Sequence, residues 1–291
     1  MMEKNVFKFG ESSIAFILPK KWADKEGLKP KGSVIITEGK DGTLIISTRH
    51  IKINNAERMV DANLNPLFIT RWIGLHYMYG TTQLILHAKE KFTQKQLEAI
   101  EDKLNNDCAG FEIIEQSEKK LCIEDFTNIK EVELKKIYSR IKFMIDQEFK
   151  EILENKIFML ERLEKQVNRF YTLGIRYVNI IQPSNFLGHI SVLNLLEQIS
   201  DYILEIDTSI YIKNNKIVKM IYEQFILSFD AFDGDEDAII KVGQMRLEIG
   251  KQIKLARIDR FYGRLLLNIS DNIAGIGEYG FKAEKEDIDY S

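Results

Sequence analysis

Glu197 and Asp201 stand four residues apart in a stretch of helical periodicity, so both carboxylates lie on one helix face. There they can share a hard divalent cation. The same two acids also suit a plain solvated face, because they point away from the apolar stripe Leu196, Ile199, Ile203, Ile206 and Ile210. No catalytic constellation accompanies them. His50, His76, His87 and His189 are scattered without metal-ligand spacing, and no Ser or Cys is arranged as a nucleophile, so an enzyme is not expected. Three other patterns are decoys. Gly275 to Gly280 spells G-x-G-x-x-G without the preceding strand and following helix that a nucleotide site needs. Asp233, Asp235 and Asp237 begin like a calcium loop, but Ala238 and Gln244 occupy the positions that require Gly and Glu. Asn268-Ile269-Ser270 is a glycosylation sequon placed inside a helical pattern.

The second chemically suggestive set is basic. The first 50 residues hold nine Lys or Arg against six Asp or Glu, a net of +3 in a chain whose total is −3. The remainder therefore carries −6, and the asymmetry favours an N-terminal face for nucleic acid. A solvated lysine surface fits the charge equally well. Lys4, Lys8, Lys20 and Lys21 are the candidate DNA contacts. Only Arg49 among the nine has the planar fork that reads guanine edges, so backbone contact is expected to outweigh base readout.

Composition bounds the class. At 291 residues, 45% hydrophobic and 29% charged, the chain is ordinary globular material and long enough for two or three units. Cys108 and Cys122 alone give neither a disulfide framework nor a zinc site. The N-terminus lacks the apolar core of a signal peptide, and no apolar run approaches the roughly 20 residues of a membrane span. A cytoplasmic protein is expected.

These side chains need elements to position them. From Phe7 to Ser47 the order reads strand (Ser12 to Leu18), short helix (Lys20 to Glu26), strand (Val34 to Thr37), tight turn, strand (Thr43 to Ser47). Pro19 opens the helix and Gly27 suits its left-handed end. Asp41-Gly42 is a preferred type I′ pair. Residues 57–126 read as a small α-β-α-β-β unit: helices over Leu67 to Met78 and Gln94 to Asn105, the latter capped by Thr93, and strands over Gln83 to His87, Phe111 to Glu115 and Leu121 to Glu124. From Asn128 the period is helical, with segments at 130–154, 157–181, 186–211, 215–230, 235–254 and 256–280. Apolar stripes run Leu160, Leu163, Val167, Phe170, Gly174, Val178, Ile181 and Ile258, Phe261, Leu265, Ile269, Ile276.

Gly10, Ser12, Ser13, the Leu18-Pro19-Lys20 step, Trp22, Gly27-Leu28, Gly32 and the Asp41-Gly42-Thr43-Leu44 turn resemble the swapped-hairpin DNA-binding domain of the SpoVT/AbrB family, over about one sixth of the chain. The helical remainder resembles PhoU bundles, and the combination resembles archaeal-type phosphate uptake regulators. The chain is thus expected to be multidomain: the resemblance implies a swapped-hairpin β domain (1–52) and an all-α region of two tandem three-helix repeats (128–282), and the residue pattern places a small α/β unit (57–126) between them and an acidic tail (283–291) after them. It implies a homodimeric DNA-binding regulator of phosphate uptake, its bundles sensing a signal or binding a partner. The alternative is an adaptor that docks on a phosphate transporter ATPase or a sensor kinase, its hairpins serving only to dimerise. The family's metal motif, Glu/Asp-x-x-x-Asp, matches at Glu197 and Asp201. The family's second acidic pair falls at Glu164 and position 168, where Asn168 replaces the acid and Glu161 is the candidate to replace it. In the second repeat Leu267 stands where an acid should precede Asp271. At most one site is expected, for magnesium, manganese or iron.

Overall fold

A computed structural model describes residues 6–10, 13–25, 27–29, 32–38, 44–47, 55–156, 158–183 and 185–288. The chain divides into two compact units, 1–52 and 53–291.

In the first unit, β1 (Val6–Phe9) pairs antiparallel with β2 (Ser13–Phe16), placing Lys8 opposite Ile14. Gly10 turns the chain at φ +71°. The Pro19 carbonyl accepts from the Trp22 and Ala23 amides at 3.0 Å each and starts α1 (Lys20–Lys25). Gly27, at φ +66°, ends it, and the Leu28 amide returns to the Ala23 carbonyl at 2.8 Å in a Schellman closure. β3 (Ile35–Glu38) pairs antiparallel with β4 (Leu44–Ser47). The Asp41-Gly42 turn lies outside the described residues. β1 is a strand that the sequence reading lacks: four residues are too few to show a period, and pairing with β2 fixes them.

The second unit begins with β5 (Asn55–Val60), α2 (Pro66–Met78), β6 (Gln83–Ala88), α3 (Gln94–Asp107), β7 (Phe111–Gln116) and β8 (Lys120–Asp125). The strand order is β5-β6-β8-β7, with β5 parallel to β6 and the other pairs antiparallel. The unit is therefore β-α-β-α-β-β rather than α-β-α-β-β. Asn55–Val60 contains three polar residues in six and reads as loop until β6 pairs with it. Leu84, Leu86, Leu121 and Ile123 of the sheet meet Ile69, Ile73, Ile100 and Leu104 of the two helices. Thr93 and Gln96 form a reciprocal capping box at the start of α3.

The helical region comprises α4 (Leu134–Leu153), α5 (Leu160–Ile181), α6 (Phe186–Glu205), α7 (Thr208–Lys213), α8 (Asn215–Phe232), α9 (Glu236–Leu255) and α10 (Arg260–Ile288). Among the described residues none of these helices is long and apolar enough to cross a membrane. α4, α5 and α6 pack on one another, as do α8, α9 and α10, and the two sets meet through α6 with α10 and α4 with α8. The segment expected at 186–211 is two helices. Asp207 breaks it by accepting the Ser209 amide at 2.8 Å and capping α7, although Ile206 and Ile210 continue the apolar stripe. Phe261 is 57% exposed rather than part of the core, because it occupies the first turn of α10, a full turn before the first buried Leu265. α10 runs past Gly280 to Ile288, so part of the acidic tail expected at 283–291 is helical. The glycines of the G-x-G-x-x-G pattern lie inside α10, where they let neighbours approach. An added Cβ would come within 2.8 Å of Leu195 at Gly275 and of Ala231 at Gly277, and closer still to the Phe232 ring at Gly280.

Candidate functional site

α4 buries Ile137, Ile141, Met144, Ile145 and Ile152, and in register with them it buries a carboxylate, Glu148, which is 1% exposed. Ser200 of α6 donates to Glu148 Oε1 at 2.6 Å, and among the described residues Oε2 has no hydrogen-bond partner. Burial pushes the Glu148 carboxyl up to about 8, and the charges of Glu164 and Asp201 add to this. Glu197, half-buried on α6, is pushed up to about 7 by burial and then by Asp201 and Glu164. Glu164 of α5 is raised by burial and by Asp201, although the Asn168 side-chain amide donates to it. Asp201, open to solvent, is raised by partial burial and by Glu205. Asn168 Oδ1 is buried and, among the described residues, has no hydrogen-bond partner.

Three of the four expected ligands thus belong to one electrostatic cluster on α5 and α6. The fourth, Glu161, is exposed in the first turn of α5 and contributes to none of these shifts. Glu148 is the member that sequence reasoning missed. The signal was an acid at a core position of the α4 stripe. All donors are oxygens, which suits a hard cation. Among the described residues, no three His, Cys, Asp or Glu side chains are gathered to hold a metal ion as they stand.

The second helical set is a built-in comparison. Ile199-Ser200-Asp201 of α6 recurs as Ile269-Ser270-Asp271 of α10. Ser270 donates to Gln224 Oε1 of α8 at 2.7 Å, as Ser200 does to Glu148 of α4. Gln224 is uncharged and satisfied, donating to the carbonyls of Val242 and Ser270 at 3.2 Å each. Leu267 stands in the place of Glu197, and Asp271 is paired with Arg246 of α9. Among the described residues Glu148, Glu164, Glu197 and Asp201 of the first set form no ion pair, Lys165 only moderating Glu164, whereas the second set has replaced that charge or neutralised it.

The basic set lies in the first unit. Lys8 is exposed on β1, and Lys20 and Lys21 are exposed in the opening turn of α1, which has no acid. Lys4 lies outside the described residues. The buried thiols are poor nucleophiles: burial pushes Cys108 up to about 12 and raises Cys122. Among the histidines, His76 Nδ1 lies 3.0 Å from Thr81 Oγ1, His87 lies 3.5 Å from Glu57, and His189 Nδ1 lies 3.0 Å from the Tyr138 hydroxyl. His50 is outside the described residues.

Residues 9–55 match the family model described as antidote-toxin recognition MazE, bacterial antitoxin. The match is consistent with a SpoVT/AbrB-like N-terminal domain. No curated protein and no solved structure matches the chain.

Proposed function

We propose that the chain is a homodimeric DNA-binding regulator whose helical region carries the sensing module. The observation that supports this most is the match over residues 9–55, which contains the exposed lysines Lys20 and Lys21 at the start of α1 and begins one residue after the exposed Lys8 of β1. Such a surface binds duplex through its phosphates. Affinity should fall with log salt at about −0.9 per neutralised phosphate. Electrophoretic mobility at graded salt tests this. Lys8→Ala/Lys20→Ala/Lys21→Ala should flatten the slope, and no binding at low salt defeats the reading. The link to phosphate supply rests on the PhoU resemblance of the helical region.

The sensed species under this reading is a hard divalent cation, magnesium, manganese or iron, drawn to Glu148, Glu164, Glu197 and Asp201. The orphaned oxygens of Glu148 and Asn168 support it, because buried polar atoms rarely lack partners. A cation turns carboxylate repulsion into attraction and can bias helix packing.

A second reading is a protein-recognition role, in which the hairpins only dimerise and the bundles dock on a transporter ATPase or a sensor kinase. The name of the matched family, which concerns recognition of a toxin, favours testing for a protein partner. Co-purification of DNA and protein with the full chain separates the two readings.

A further inference from the structure

A cleft of about 180 Å³ opens between the N-terminal half of α4 and the C-terminal end of α8. Its inner wall is mostly aromatic, with Leu134 and with His189, whose Nδ1 lies 3.0 Å from the Tyr138 hydroxyl. Phe229 and Phe232 of α8 have ring centroids 6.3 Å apart, and the Tyr138 ring meets Phe232 edge-on at 5.2 Å. Burial raises the Tyr138 phenol far above its ordinary range, so this wall stays uncharged.

The mouth is basic. Lys135, Ser139 and Lys142 follow at i, i+4 and i+7 on α4, so one helix face presents all three. The Lys142 ammonium sits 4.3 Å from the Phe229 ring centroid. The other two lysines of α4 are committed, Lys136 to Glu133 and Lys150 to Asp146. Among the described residues, Lys135 and Lys142 form no ion pair, and one acid, Asp233, lines the same cleft. With His189 neutral on the Tyr138 hydroxyl, two ammonium groups and one carboxylate leave room for a single negative charge.

We propose that this cleft binds a small planar organic monoanion, an aryl carboxylate of about the size of benzoate. Its ring would lie against the phenylalanines and its carboxylate would meet Lys142 and Lys135. An apolar cavity of roughly 150 Å³ accommodates benzene, so 180 Å³ suits one ring and a carboxylate. Inorganic phosphate would leave the aromatic walls unused. The cleft is independent of the carboxylate cluster and of the DNA-binding reading.

Fluorine NMR of 4-fluorobenzoate titrated with the full chain tests the proposal. A saturable shift is expected, with affinity falling about tenfold in Lys142→Met, the loss of one charge-assisted contact. Lys135→Met, at an exposed position, should weaken binding too, and circular dichroism checks that both variants keep the fold. The neutral probe 4-fluorobenzamide should give no saturable shift. The proposal is overturned by an absent shift with the acid, by equal binding of acid and amide, or by unchanged affinity in both folded variants. It is also overturned by displacement of the probe by equimolar inorganic phosphate, which would assign the site to phosphate groups.

Discussion

Arg176 of α5, wholly buried, pairs its guanidinium with the carboxylate of Asp125 at the end of β8. It also donates to the carbonyls of Tyr77 and Thr81, and its charge lies 4.9 Å from the Tyr77 ring centroid and 5.3 Å from that of Phe111. The α/β layer and the helical region therefore share one buried charge pair. Removing one member leaves the other uncompensated, a loss of about 3–5 kcal/mol. Asp125→Ala should destabilise by that amount in denaturant titration. Arg176→Met/Asp125→Leu should recover most of it. A double variant no more stable than the single one would show that the pair itself, not the stranded charge, holds the layers.

Glu148 makes stability depend on pH with a definite sign. Burial pushes its carboxyl up to about 8 in the folded chain, from the ordinary carboxylate value of 4.5. Between these values the folded state holds a proton that the unfolded state releases, so stability falls as pH rises from about 5 to about 8. Glu197, pushed up to about 7, acts in the same direction. Unfolding free energies from denaturant titration at about pH 5 and pH 8 should differ by on the order of 2 kcal/mol. Glu148→Gln, which copies Gln224 of the second set, should remove much of that difference. An unchanged pH slope in Glu148→Gln would refute the assignment.

Cation binding should be confined to the first helical set. Calorimetry with manganese or magnesium should give heat with the wild type and none with Glu197→Ala/Asp201→Ala. Asn168→Asp, which adds a carboxylate, should tighten binding. Saturation at about 100 times Kd should stabilise the fold by about 2.7 kcal/mol. Equal metal content in the wild type and the double alanine variant would reduce these acids to a solvated face.

The hairpins of the first unit expose Ile14 (76%), Ile17 (68%), Val6 (64%) and Leu44 (61%). A segment of about 50 residues buries too little apolar surface to be comfortable alone. A second copy of the chain should cover these side chains. Light scattering should report a dimer for the wild type and a monomer for Ile14→Asp. A monomeric wild type at micromolar concentration would rule this out.

What was readable in advance follows the range of the forces involved. The Thr93 cap, the Gly27 helix end and the Ile199–Ile203 stripe depend on residues a few positions apart, and they stand where the pattern put them. β5 depends on a neighbour, β6, whose paired residues lie 28 positions further along (Asn55 with Gln83), and its own alternation is weak. The break before α7 was masked because Ile210 keeps the apolar period while Asp207 interrupts the backbone. The candidate site divides the same way. Glu197 and Asp201 announce themselves by spacing, whereas Glu148 becomes part of the group only when α4 lies against α6 and Ser200 reaches it. Arg246 likewise meets Asp271 only through the packing of α9 on α10.

α5 is a single uninterrupted helix that carries both Glu164 and Arg176. Glu164 sits among the carboxylates near one end, and Arg176 grips the sheet layer twelve residues later. Those positions are about 18 Å apart along the axis. A hydrogen-bonded helix is stiff over that length, so it behaves as a push-rod rather than a spring. Any axial slip of α5 at the acidic end must drag the guanidinium against the Tyr77 and Thr81 carbonyls by the same distance.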